Sequence, residues 1–342
     1  MKEKIRQYVY IAGALAAIVT GACFFRLHLE HLKMQTIPSG LQAFDVNDPI
    51  PTCGRWKDTM PKFRDPAAYD LYINARKLWR SKIAWQLTRQ EFLSILHDVQ
   101  TAAGQGDWGA RALLAHFYRS GLGPLDSNHV LDIDLDKSVN IVREAVAAGQ
   151  AWGYYDLGVA HEQGYGGTVQ NEQVAWAYYL KAAKLGSPDA LMALASTYQK
   201  AERRDAEIAM IMCAYNQDHG PAAHKLGIKA DLRKNFAKAL EYYQAGTRFG
   251  SKGSAAVLRQ IFDIEEWNSR EKQDQNALKE LGVLPDPERK SRYDQISDAL
   301  ELNPDLKLSR LDRVVPLPPA ELPAWNGIQD AVEPESDAPP TY

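Results

Sequence analysis

A repeat whose single copy cannot bury itself constrains this chain more than any other feature. Its clearest copy is Ala175, Tyr178, Tyr179, Lys181, Ala182, Ala183, Gly186 and Ala190. A second runs Ala239, Tyr242, Tyr243, Ala245, Gly250, Ser254. A third is Ser138, Ala145, Val146, Gly149, Gly153, and a partial fourth is Ala102, Ala103, Gly106, Ala110. A second signature follows each glycine. Leu114, Tyr118, Gly121 and Gly123 share their spacing with Leu157, His161, Gly164 and Gly166. Leu194 and Tyr198 repeat its start with Ala201 in place of the glycine, and Leu226-Gly227 opens a degenerate copy. The steps are 43, then 37, then roughly 30–34 residues, the range of helical-hairpin repeats.

Small residues at i and i+4 let two helices approach closely, and Tyr179 or Leu157 fills the space between them. Gly149 and Gly186 stand where a helix must stop, because glycine readily takes the left-handed cap conformation. One hairpin cannot cover both of its faces, so neighbours must stack into a superhelix with a concave groove. The expected fold is all-α.

The pattern A-x-x-Y-Y-x-K-A-A-x-x-G-x-x-x-A at 175–190, with L-G-x-x-x-x-x-G-x-G at 157–166, resembles the Sel1-like repeat, a relative of the tetratricopeptide repeat. The resemblance covers about residues 95–265. It implies an α/α superhelical solenoid of helix-turn-helix repeats that binds another protein. The third and fourth helix pairs depart from the pattern, with shortened connections that lack Gly-x-Gly, so their geometry stays open.

The flanks extend this plan. Lys2, Lys4 and Arg6 precede an uncharged apolar run from Val9 to Phe25, close to the length of a bilayer span. Positive charge stays on the cytoplasmic side, so the body is expected outside the cytoplasm of a bacterial cell. Three readings are open: an inner-membrane anchor with Arg26 at its edge, a cleaved signal peptide with Gly21 and Ala22 near the cut, and a lipoprotein signal at Cys23. Residues 1–34 form this segment. Residues 35–65, with Pro38, Pro49, Pro51 and Pro61, read as a spacer holding the repeats off the membrane. The repeats are expected over 66–265, starting with a hairpin of about Ala67–Trp79 and Arg89–Ala103.

Residues 266–330 read as a C-terminal helix, Pro285–Leu302, followed by a Pro-rich strap. Pro316, Pro318, Pro319 and Pro323 forbid a regular helix there. Leu306, Leu308, Leu311, Val314, Val315, Leu317 and Trp325 suggest that the strap lies on the repeats. Residues 331–342 are expected to be a disordered tail. The strap resembles the C-terminal region of exported Sel1-like bacterial proteins. Several of these are associated with type VI secretion lipase effectors, including the phospholipase D type, and serve as immunity proteins in the periplasm. An envelope scaffold assembling the cell's own proteins is the alternative.

Little in the sequence points to chemistry. Gly104, Gly106 and Gly109 match G-x-G-x-x-G, but a helix precedes them where a dinucleotide site needs a strand. Asp132, Asp134 and Asp136 imitate a calcium loop that lacks its glycine and its closing glutamate. His161 stands in the repeat's tyrosine position, and the histidines show no metal-ligand spacing. No catalytic residues, metal or cofactor are expected, and the chain reads as a non-enzyme. Beyond residue 34 the chain carries 35 basic and 41 acidic side chains, which offers no clustered charge for nucleic acid. Cys53 and Cys213 could pair in an oxidising compartment, or be two unrelated small apolar residues. Cys213 lies in an apolar stretch, Ala209–Tyr215, that reads as core.

In helical repeats the first helix of each pair lines the groove. Counting five before, two before, two after and five after each repeat leucine gives the groove positions. For Leu157 these are Trp152, Tyr155, Val159 and Glu162. For Leu114 they are Gly109, Ala112, His116 and Arg119, and for Leu194 they are Asp189, Met192, Ser196 and Gln199. Aromatic and arginine side chains dominate interface energies. The candidate partner-binding residues are therefore Trp152, Tyr155, Glu162, His116, Arg119 and Gln199, facing a protein partner of the lipase or phospholipase toxin kind.

Overall fold

The computed structural model describes residues 37–332. The apolar run at 9–25 and nearly all of the expected tail lie outside the described residues. Among the described residues, no helix is long and apolar enough to cross a membrane. The architecture is an α/α superhelical solenoid of Sel1-like hairpins. Five are built from consecutive helices: α1 (Pro66–Trp79) with α2 (Arg89–Gly104), α3 (Trp108–Ser120) with α4 (Leu135–Ala147), α5 (Ala151–Gln163) with α6 (Glu172–Lys184), α7 (Pro188–Lys200) with α8 (Arg204–Tyr215), and α9 (Gly220–Leu232) with α10 (Phe236–Arg248). In a sixth, α11 (Lys252–Phe262) packs on α14 (Pro287–Leu302) across two short helices, α12 (Ile264–Ser269) and α13 (Lys272–Glu280). The helix expected from Pro285 thus starts two residues later, with Asp286 accepting from the backbone N–H groups of Glu288 and Arg289.

The helices begin where the sequence supplies caps. Side chains of Asp107, Asn171, Ser187, Asn235 and Ser251 each accept a backbone N–H three residues on. Each such cap contributes about 1 kcal/mol. Thr88 and Glu91 form a reciprocal capping box at α2.

Tyrosine and glycine link the two repeat signatures. A Cβ on Gly158 would lie 2.7 Å from the Tyr179 ring, and one on Gly227 would lie 2.5 Å from the Tyr243 ring. The Leu-Gly of α5, and that of α9, is therefore the flat seat for the tyrosine of its partner helix. This seat recurs in the fifth hairpin, α9 with α10, although its loop departs from the pattern.

Residues 37–65 are not a free spacer but an N-terminal strap. They bind the repeats along their length, because apolar residues stand between the prolines. Phe44 stacks on Trp176 at 5.3 Å and meets Tyr198 edge-on at 5.7 Å. Cys53 is joined to Cys213 by a disulfide, with Cα atoms 5.9 Å apart, so Cys213 is a tether as well as a part of its helix. From there the chain visits the turns between hairpins in reverse order. The Trp56 N–H donates to Gln217 Oε1 at 3.1 Å, Gly54 packs against the backbone of Leu185, and Thr59 Oγ1 accepts from the Ala151 N–H. Arg64 then pairs with Asp107 while lying over Tyr69 and Trp108.

The C-terminal strap seals the other end. Leu308, Leu311 and Val315 are fully buried on α10, α11 and α14, where Tyr293 also donates to Gln244 Oε1 at 2.6 Å. The strap continues past residue 330. Ala331, placed in the tail by its sequence, is buried and accepts the Arg310 N–H at 3.1 Å. The strap also reaches the first hairpin. Arg76 of α1 holds Asp305 with both ends of its guanidinium, Nε–Oδ2 2.6 Å and Nη2–Oδ1 2.7 Å, across 229 residues of sequence. The two ends of the solenoid are thereby joined.

Candidate partner-binding groove

The wall of the groove is built by the first helices of successive hairpins. His116 and Arg119 lie one turn apart on α3, with Arg119 Nη2 3.5 Å from His116 Nδ1. One hairpin on, Tyr155 of α5 packs its ring 5.4 Å from Tyr179, whose hydroxyl donates to Glu162 Oε2 at 2.9 Å. Arg119 also engages the phenol of Tyr165. Four of the six candidates thus fall in two adjoining clusters on successive hairpins, His116 with Arg119, and Tyr155 and Glu162 around Tyr179.

The other two lie elsewhere. Gln199 accepts from Lys225 Nζ at 3.0 Å, toward the next hairpin, where Lys229 pairs with Glu207 at 2.6 Å. Trp152 departs from the groove reading. It is 6% exposed, its indole N–H donates to Gln150 Oε1 at 2.7 Å, and its ring is core beside Val139, Val142 and Val174. Ala112 is likewise core, and Gly109 is a seat for Arg64 and Tyr72. Trp152 and Gly109 lie in the first turns of their helices, which pack onto the preceding hairpin or the N-terminal strap, whereas Ala112, a turn further on, joins the core with Val139 and Val142 of its own hairpin.

Two carboxyls, Asp156 buried behind this wall and Asp189 half-buried in it, make it electrostatically unusual. Asp156 is 7% exposed, and burial pushes its carboxyl up to about 7 against the counter-effect of Arg119. Burial pushes Asp189 on α7 up to about 6. Opposite them, burial and the guanidinium groups of Arg119, Arg80 and Arg76 push His116 down to about 4, so it is uncharged at neutral pH. Tyr155 is held well above the usual phenol range by burial and by Asp189, Asp156 and Glu162. The groove therefore runs from a cationic end at α1 and α3 to an acidic, phenol-rich stretch at α5 and α7. Counting from the repeat leucine finds Asp189 but skips Asp156. It also misses Arg76, Arg80 and Asp305, because no local pattern joins residues of the first hairpin to the strap.

Beside the cationic end lies a cleft of about 610 Å³, lined by Trp79, His116, Phe117, Leu122 and Ile133 among others. On the connection between α1 and α2, Ala84 lines it too, and the next residue, Trp85, is 62% exposed. Buried aromatic anchors and planar cations are what protein interfaces use, whereas an enzyme site needs a nucleophile or acid–base pair in contact. Among the described residues, no group of three or more His, Cys, Asp or Glu side chains is placed to hold a metal ion.

A model described as a domain of unknown function, DUF6396, matches residues 254–342, the last hairpin and strap. No curated protein matches the chain. Several solved structures do. The Pseudomonas aeruginosa protein PA5086 is 27% identical, with a TM-score of 0.63 over 80% of this chain and 96% of that one. Immunity protein Pa5087 from Pseudomonas aeruginosa is 26% identical, with a TM-score of 0.61 over 78% of this chain and 94% of that one. Immunity protein PA5088 from the same organism is 25% identical, with a TM-score of 0.59 and the same coverage. The similarity spans almost the whole of these proteins.

Proposed function

We propose that this chain is an immunity protein that binds a secreted toxin stoichiometrically and neutralises it. The observation that carries this reading is the similarity to two immunity proteins over nearly their full length, at 25–26% identity. The groove is the second support. Its wall offers aromatic rings, a planar cation and partly desolvated carboxyls, which suit a protein surface. The toxin is of the lipase or phospholipase kind delivered by type VI secretion, and the complex blocks its active site or its access to lipid.

The encounter takes place in the periplasm, with residues 9–25 keeping the protein at the inner membrane. The Cys53–Cys213 disulfide supports this location, because such bonds persist in oxidising compartments. It also fastens the N-terminal strap to the fourth hairpin, so the groove is held in shape before the toxin arrives. Preorganisation of this kind reduces the ordering cost of binding.

The test is co-expression of the full-length chain with an exported lipase effector encoded beside it. The expected result is a one-to-one complex and restored growth. An active effector that kills regardless and does not co-purify would reject the proposal. The paired substitution Tyr155→Ala, Arg119→Ala should weaken the complex by roughly 2 kcal/mol or more, about thirtyfold, with the fold intact.

A further inference from the structure

Both straps cover apolar surface of the repeats, but no residue of either strap lines the cleft beside α1 and α3. Its floor is Phe92, Phe117 and Leu122, all buried. Exposed apolar side chains continue past its mouth. Ile133 lines it and is 61% exposed, Leu125 follows the lining residue Pro124, and Ile83 and Trp85 stand on either side of the lining residue Ala84. The two lips are fixed by the buried Asn128 of the loop between α3 and α4. Its Nδ2 donates to the Leu87 carbonyl at 2.9 Å and to the Ala84 carbonyl at 3.3 Å, while its Oδ1 accepts the Leu125 N–H at 2.9 Å. Arg89 of α2 also donates to the His129 carbonyl.

A preformed apolar cleft that opens onto further exposed apolar side chains marks an interaction site. A compact molecule would fill the cleft and leave Ile83, Trp85 and Leu125 in water. A polypeptide segment seats a bulky side chain in the cleft and covers the rim as well. Charge narrows the choice of segment. Residues 121–136, which form the loop lip, hold four aspartates and no lysine or arginine. Asp134 caps α4 and pairs with Lys137 at 3.0 Å. Asp126 and Asp136 are exposed, and so is Asp132, whose carboxylate meets the His129 imidazole at 2.9 Å. On the facing lip Lys82 is paired with Glu91 at 2.7 Å, and Arg80 and Arg119 do not line the cleft. The mouth is therefore apolar with an acidic edge.

We infer that the cleft is an anchor site for a segment of the partner protein, which seats one bulky apolar side chain over Phe92 and Phe117 and lays flanking lysine or arginine residues along the aspartate lip. This rests on the reading of the chain as a partner-binding protein. A lipid surface suits the cleft less, because anionic headgroups would meet the same aspartates. Apolar anchors with basic flanks are also what hold a peripheral protein on an anionic membrane, so seating such a segment here keeps it off lipid.

The experiment uses the full-length chain in nanodiscs of zwitterionic lipid, with three labelled peptides as probes. One has a Leu-Phe-Trp core between paired lysines, one the same core between paired glutamates, and one a Ser-Gly-Ser core between paired lysines. Fluorescence anisotropy should show the first binding at least about tenfold more tightly than the other two. The paired substitution Trp85→Ser, Ile133→Ser should weaken it about tenfold. Asp126→Asn with Asp132→Asn should bring the lysine and glutamate forms to within about threefold of each other. Val169→Ser, at an exposed apolar residue of the loop between α5 and α6, should change nothing. All of these side chains are exposed, so the fold is retained, and a melt checks it.

Binding that the Trp85→Ser, Ile133→Ser pair leaves unmoved overturns the anchor site. Equal affinity for the lysine and glutamate forms overturns the basic segment. Brominated lipid in the nanodisc covers the remaining case, since quenching that disappears in Trp85→Ser would put this face on the bilayer and reject a protein occupant. The immunity reading fails separately. If the lysine-flanked peptide binds at the cleft but no effector is neutralised, that reading falls and the anchor site stands. An effector neutralised equally well by the Trp85→Ser, Ile133→Ser pair removes the anchor site alone.

Discussion

The second and third hairpins close in one way, and the fourth and fifth in another. Between α3 and α4, and between α5 and α6, the chain takes long loops that turn on glycine. Gly121, Gly123, Gly164, Gly166 and Gly167 all have positive φ. Between α7 and α8, and between α9 and α10, three residues suffice, and the left-handed positions are held by Glu202 at φ 58° and Lys234 at φ 57°. The long loops carry outward side chains such as Leu125, Ile133 and Val169, and the one between α3 and α4 forms one side of the cleft at the cationic end. The short turns leave a bare edge. The two halves therefore share one helix-packing rule but differ in what they offer a partner, and the loops supply that difference.

The largest expected effect tests whether the halves are held in one closed body. Asp305→Ala strips Arg76 and Arg80 of their shared carboxylate. It should cost about 3–5 kcal/mol, because the remaining guanidinium charge is buried and uncompensated. Chemical denaturation measures the loss, and small-angle scattering should show the ends moving apart. Unchanged dimensions would mean that the curvature is set by hairpin stacking alone.

Next in size is the contrast between the loops. Gly166→Ala imposes a Cβ on a residue at φ 63°, against Val139 and 2.5 Å from the Leu135 carbonyl oxygen. Strain and overpacking together should cost about 2–4 kcal/mol in a thermal or denaturant melt. Tolerance at this position would show that the long loop is plastic, and the proposed difference between the halves would lose its basis.

The third prediction concerns the acidic stretch of the groove. Asp156 has its carboxyl raised in the fold, so the folded chain keeps a proton that the unfolded chain releases between about pH 4 and 7. Stability at this site therefore falls as pH rises through that window. Asp156→Asn should stabilise the protein by about 1–3 kcal/mol at pH 8, and the gain should shrink as pH falls. His116 works in the opposite sense, since its lowered midpoint costs stability as pH drops from about 6.5 towards 4. A gain from Asp156→Asn that does not vary with pH would remove the desolvated carboxylate from the groove's description.

The smallest effect has the opposite sign to the second. Glu202→Gly or Lys234→Gly relieves a left-handed side-chain residue and should add about 0.5–1 kcal/mol, after glycine's own entropy cost. Loss of stability in a melt would mean that these side chains make contacts worth more than the strain.

The sequence by itself determined the helices, their pairing and their period. It did so because small residues, tyrosines and terminal glycines act within a hairpin or between neighbours, at separations that recur. It also marked His116, Arg119, Tyr155 and Glu162, since a fixed offset from a repeat leucine selects one face of a helix. Only the tertiary structure decided what lies on top of the repeats. Gly106 and Gly149 have open space around them and serve as caps alone, whereas Gly186 and Gly250, at the same place in the pattern, also admit the backbones of the two straps. Trp152 became core for a comparable reason, since its turn packs against neighbouring hairpins. Arg76, Arg80 and Asp305 meet because the superhelix turns far enough for its ends to touch. That is a sum of many small rotations between hairpins, and no single hairpin encodes it.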